Sequence, residues 1–143
     1  MSTETSRGLV GRFYEEVLNG RRLDVIDEIA VGDYAEHDPL PGQGDGRDGL
    51  RNRVSMLVTA LDPHFAVEDV IAEGDRVVVR WRNQGTQVEP FLGLPASGKS
   101  FEIAGIDIYR VQDGRLAEHW HVIDQFGMLM QLGFIPAPEP AAP

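Results

Sequence analysis

The sequence predicts an α+β domain: N-terminal helices packed on the concave face of a curved, mostly antiparallel sheet. Three observations lead there. Apolar residues keep a helical spacing as far as Asp62-Pro63, the period changes to two beyond it, and the period-two runs are joined by turns. Helices followed by a meander of strands is an α+β layout. A sheet of this size curls as it twists, and the helices must bury their stripes in its hollow. The space between the layers is a natural ligand pocket.

The elements follow in chain order. Leu9, Val10, Phe13, Tyr14, Val17 and Leu18 form one broad apolar stripe, stopped by Asn19-Gly20. A shorter helix turns Leu23, Ile26 and Ile29 inward and Asp24, Asp27 and Glu28 outward. After Tyr34–Asp38 and a Pro- and Gly-rich loop, Asp48 is placed to cap a third helix with Leu50, Val54, Leu57, Val58 and Leu61 on its apolar face. Phe65, Val67, Asp69 and Ile71 then alternate with Ala66, Glu68 and Val70, and Glu73-Gly74-Asp75 turns the chain. Val77, Val79 and Trp81 share a face opposite Arg76, Arg80 and Arg82. Phe101–Val111 and Arg115–Asp124 make the last hairpin, and Met128, Leu129 and Leu132 a closing helical turn. Residues 1–135 are expected to form one domain, and the Pro- and Ala-rich residues 136–143 a disordered tail.

Composition narrows the function. A chain of 143 residues has room for one core. A net charge of −10 disfavours nucleic acid and anionic membranes, because clustered cations are needed to displace phosphate counterions. With no Cys there is no disulfide and no thiolate ligand or nucleophile. Residues 1–7 are polar and lack the apolar run of a signal peptide, and no stretch is long enough to span a bilayer, so a cytoplasmic protein is expected. No dinucleotide fingerprint or Ser-His-Asp order is present, and the glycines from 42 to 49 follow no strand, so no cofactor is expected.

The chemistry concentrates on the last hairpin. If Val111 and Arg115 close a three-residue loop with Gly114 in the left-handed position, Asp107 lies across from His119 and Gly105 across from His121. Asp107, His119, His121, Tyr109 and Ala117 would then share a face, giving an imidazole tuned by a carboxylate. A two-residue turn at Asp113-Gly114 would shift the pairing by one and split the cluster. His37 is a further candidate, placed after the helices where the chain approaches the open end of the sheet. His119 and His121 share no metal-site spacing with His37, and no metal is expected. Phe13, Tyr14, Val17, Leu57, Trp81 and Tyr109 supply apolar walls for a substrate. Ile106, Ile108 and Trp120 fall on the opposite parity to Asp107 and, with the three arginines, form an outward patch that favours a homodimer.

The chain resembles the SnoaL-like proteins, often labelled polyketide or ester cyclases, of the nuclear-transport-factor-two and ketosteroid-isomerase superfamily. The resemblance rests on Asp33–His37, on Gly44-Asp45-Gly46, above all on Asp107–Asp124, and on Gly127–Gly133. It implies a cone with a deep pocket, often dimeric or tetrameric through the sheet. It also implies an aldol ring closure run by an acid on the last strand and a His on its neighbour. His121 and Asp107 hold those places here, so acid and imidazole are exchanged. The resulting expectation is an acid–base enzyme acting on a carbonyl-bearing, apolar polyketide-like substrate. His121 is the general base or acid, Asp107 and His119 tune it, and His37 or Tyr14 polarises the substrate oxygen. The alternatives are a binder of an apolar metabolite, or a dehydratase or hydrolase using the same pocket.

Overall fold

A computed structural model describes residues 2–138 of the chain. Residues 136–138 carry no regular structure, and the rest of the expected tail lies outside the described residues. Helix α1 spans Thr3–Arg12, capped by the Ser2 hydroxyl, and runs directly into a π-helix over Phe13–Asn19. The sequence accounts for the change. The apolar pairs 9/10, 13/14 and 17/18 repeat every four residues, which on an α-helix would drift by about 40° per turn. The wider π turns keep Phe13, Tyr14, Val17 and Leu18 buried together. Asn19 then fastens the end of this helix to the sheet, its side-chain amide exchanging two hydrogen bonds with the Phe65 backbone.

A 3₁₀ turn (Leu23–Val25) leads into α2 (Ile26–Ile29), and Val25, Ile26 and Ile29 are fully buried. Strand β1 (Ala30–Glu36) follows where the sequence pattern shows none, because it pairs irregularly and only at the sheet's edge. Helix α3 is Gly46–Leu61. It begins at the Asp45 N-cap rather than at Asp48, which sits in the first turn bonded to Arg51. Strands β2 (His64–Glu73), β3 (Arg76–Thr86), β4 (Ser100–Gln112) and β5 (Arg115–Ile123) complete a five-stranded sheet, and α4 (Gln125–Gln131) closes the chain. The order is β1-β5-β4-β3-β2, antiparallel except for the parallel β1–β5 pair. The α+β layout and mostly antiparallel sheet are as the sequence predicts.

Two bulges change the faces read from simple alternation. The one between Val67 and Asp69 turns Val70 and Ala72 inward and leaves Ile71 exposed, opposite to its expected side. The other decides the site. The last turn has two residues, Asp113 and Gly114, both at positive φ, and Gln112 pairs with Arg115. This corrects the three-residue loop. Such a turn alone would set Asp107 opposite Trp120 and divide the cluster. An extra residue on β5 between the Val111–Leu116 and Arg110–Glu118 pairs restores the parity. Asp107 therefore faces His121, and Tyr109 faces His119.

Candidate active site

The hollow of the sheet and the helices form an apolar cavity whose empty space of about 720 Å³ includes open solvent at its mouth. Phe13, Leu57, Trp81 and Tyr109 line it, and Asp107, His119 and His121 reach it from the hairpin. Tyr14 and Val17 do not line it. Both are buried one layer behind the wall, and the Tyr14 hydroxyl is spent on Asp107 and Tyr109. His37 is not brought to the cluster either. Along β1, Tyr34 and Glu36 point inward, whereas His37 lies on the outer side of the sheet edge, stacked on Trp120 and bonded to Glu118 at 2.6 Å.

Asp107 is the buried hinge of a charged chain. One carboxylate oxygen accepts from the Tyr14 hydroxyl and from the Trp81 indole N–H at 2.6 Å, and the other from His119 Nε2 at 2.8 Å. The indole reaches Asp107 because Gly105, directly opposite Trp81, has no side chain: a Cβ there would stand 2.3 Å from the ring. The other His119 nitrogen, Nδ1, meets Glu36 at 2.8 Å. Parallel pairing of Glu36 with His119 across β1 and β5 puts that carboxylate in place.

Two buried carboxylates on one imidazole select its doubly protonated form. Burial opposes the charge on His119, but the bonds to Asp107 and Glu36 outweigh it and raise its pKa to about 8. Burial likewise pushes Asp107 and Glu36 up, and His119 with the other donors holds both carboxyls below their usual range. His121 moves the other way. Burial first, then the charges of Arg53 and His119, lower its pKa, so it is neutral near pH 7. Its ring stacks on His119 at 5.2 Å, and Arg53 Nη2 lies 3.2 Å from Nδ1. Its backbone N–H is tied to Asp38 at 2.9 Å. The two stacked histidines thus sit in opposed surroundings: the carboxylates favour a charged His119, and burial beside Arg53 favours a neutral His121.

Glu36, Arg53, Tyr34 and Asn83 belong to the lining or its support and were not singled out from the sequence. Arg53 had a signal: three residues after Leu50 and four before Leu57, it is a charge on the apolar face of α3. Asn83 had one too, a polar residue on the inward parity of Val77, Val79 and Trp81. Glu36 was invisible without knowing that β1 joins β5. Glu36, His119 and His121 could each offer an atom to one metal ion, all within 4.8 Å. These residues do not fit one, however. Both His119 nitrogens already meet carboxylates, and the Arg53 guanidinium stands 3.6 Å from Glu36 and against His121, supplying the positive charge a metal would bring.

A curved, mostly antiparallel sheet with a helical cover and a hollow between them is the nuclear-transport-factor-two-like fold. Within it, the chain belongs to the SnoaL-like polyketide cyclase family, whose pattern it matches over residues 8–132. It is 29% identical over 140 residues to the aklanonic acid methyl ester cyclase DnrD of Streptomyces peucetius, covering 93% of this chain and 92% of that protein. Among solved structures, TsrD of Streptomyces laurentii superposes with a TM-score of 0.86 at 30% identity, covering 94% of this chain and 99% of that one. IdmH of Streptomyces antibioticus gives 0.76 at 30% identity, covering 89% and 97%.

Proposed function

We propose that the chain is a cytoplasmic, cofactor-free enzyme that closes a ring in, or isomerises, a carbonyl-bearing polyketide-like substrate, with His121 as the acid–base. The observation that carries this reading is geometric: His121 opens to an apolar cavity with its ring 5.2 Å from that of the carboxylate-clamped His119 and 3.2 Å from Arg53 Nη2. His121 takes the proton from a carbon next to a carbonyl, and the electron pair moves onto the carbonyl oxygen as an enolate. Arg53 stabilises that developing negative charge in a water-poor site. The enolate carbon then bonds to a second carbonyl carbon, whose oxygen receives the proton back from His121. No atom is gained or lost. Asp107 and Glu36 act through His119 as positioning residues, because their oxygens are already engaged.

DnrD is a cyclase of aklanonic acid methyl ester, so that compound is the first substrate to test. Ring closure is expected with the wild-type chain and should fall by ~10²–10⁴-fold in His121→Ala, the usual worth of acid–base help. Unchanged turnover in that variant would remove His121 from the mechanism. No turnover, but thermal stabilisation by the compound, would favour a binder. The same proposal has the chain working as a homodimer. The sheet's outer face exposes Ile106 and Val122, an apolar pair that a second copy would cover. Light scattering that reports only a 15.8 kDa species at micromolar concentration would count against that pairing.

A further inference from the structure

Arg12, Arg51, Arg80 and Arg110 each hydrogen-bond a carboxylate, with side chains at least 27% exposed. Arg53 differs. Its side chain is 12% exposed, it lines the cavity, and both acceptors on its Nη1 are uncharged: the Asp38 carbonyl and Gln43 Oε1, each at 3.2 Å. Glu36 stands 3.6 Å away and is already bonded to His119. Gln43 is itself 3% exposed, and its orientation is forced. Oε1 also accepts from the Leu40 backbone N–H at 3.0 Å, so turning the amide over would set donor against donor. Nε2 is left buried with no partner among the described residues, a costly arrangement. A glutamate would serve both donors and orphan no N–H, but it would set a negative charge against the guanidinium. The loop is braced around this residue: the Gln43 N–H bonds the Leu40 carbonyl, and Asn52 on α3 bonds the Gly42 and Gln43 carbonyls.

We propose that Gln43 is a positioning residue, an uncharged acceptor that holds Arg53 Nη1 so that Nη2 faces His121 with its positive charge undiminished. Nη2, 3.2 Å from His121 Nδ1, is then the donor left for an enolate oxygen formed beside that ring. The orphaned N–H of Gln43 is a local rule broken to keep that charge whole. Four charges face His121. Arg53 from α3 and His119 beside it on β5 oppose its protonation, and Asp107 from β4 and Glu36 from β1 favour it. Asp38, from the loop, meets its backbone N–H.

The inference rests on the acid–base reading of His121 and Arg53, but NMR titration tests it with no substrate. Gln43→Leu adds no charge, so it moves the His121 midpoint only by letting Arg53 drift. The midpoint should rise in Gln43→Leu, and also in Gln43→Glu, where the bond is kept but an anion offsets the guanidinium. In an Arg53→Gln background Gln43→Leu should add nothing, because its effect runs through Arg53. With aklanonic acid methyl ester, kcat of Gln43→Glu should fall about tenfold at nearly unchanged KM, since only the charged transition state loses support. A residue that merely braces the loop would alter melting alone. A His121 midpoint unmoved in Gln43→Leu, or moved equally without Arg53, therefore overturns the proposal. Should Gln43→Leu not fold, an unmoved midpoint and an unchanged kcat in Gln43→Glu overturn it. Where the wild-type chain leaves the ester unreacted, the catalytic reading fails and the titrations alone decide the role of Gln43.

Discussion

His119 sits between Asp107 and Glu36 with its side chain only 5% exposed, and that position ties stability to pH. Its folded pKa of about 8 exceeds the 6.5 of a free imidazole, so its stabilising contribution is complete below the lower value. That contribution is lost as pH rises through the higher one. The two carboxyls, held below their usual range, contribute in the opposite sense: their share is lost as pH falls into the acid range. Denaturant unfolding should therefore show the wild-type chain less stable at pH 9 than at pH 6.5, by on the order of 2 kcal/mol at most. His119→Gln should abolish that difference, and a wild-type stability flat across this interval would contradict the clamp. The sequence disclosed Asp107, His119 and His121 as one cluster but paired them wrongly. Strand pairing brings Asp107 opposite His121, and its bond to His119 is a diagonal one.

At the scale of elements, the last hairpin carries the site on a compensated irregularity. The two-residue turn and the bulge on β5 each shift the register by one, and only together do they return both histidines to the face of Asp107. Turn residues are written in the local sequence; the bulge is not, because it depends on how β5 settles against the neighbours on both its sides. Similarly, β1 escapes the sequence pattern because a single irregular parallel pairing supports it, and with it Glu36 escapes too. The long antiparallel strands β3 and β4 were legible, since both alternate without interruption over their buried faces. Their close meeting at Gly105 and Trp81 gives a test. Gly105→Ala forces the indole off its place over β4 and away from Asp107. We expect a loss of stability of about 1–3 kcal/mol, as for an overfilled core, together with a changed Trp81 fluorescence spectrum. An unchanged spectrum and melting curve would mean that the indole does not depend on that glycine.

Across the whole molecule, hydrophobic period alone foretold the helices, the antiparallel strands and the hollow between them, because burial of stripes is a global demand with few solutions. What it could not foretell is which polar groups the closed cone brings together. Glu36, Arg53 and Asp107 come from an edge strand, a helix and a central strand, and they meet only after the sheet has curled. Among the described residues, no helix is long and apolar enough to cross a membrane. The central claim is that this convergence divides two stacked histidines into a fixed cation and a neutral base. NMR titration of the ring protons tests it with no substrate needed. His119 should titrate near pH 8 and His121 below 6.5, and Asp107→Asn should bring the His119 midpoint down, since the anion that favours its charge is gone. Two histidines titrating together near 6.5, unmoved in Asp107→Asn, would contradict the account.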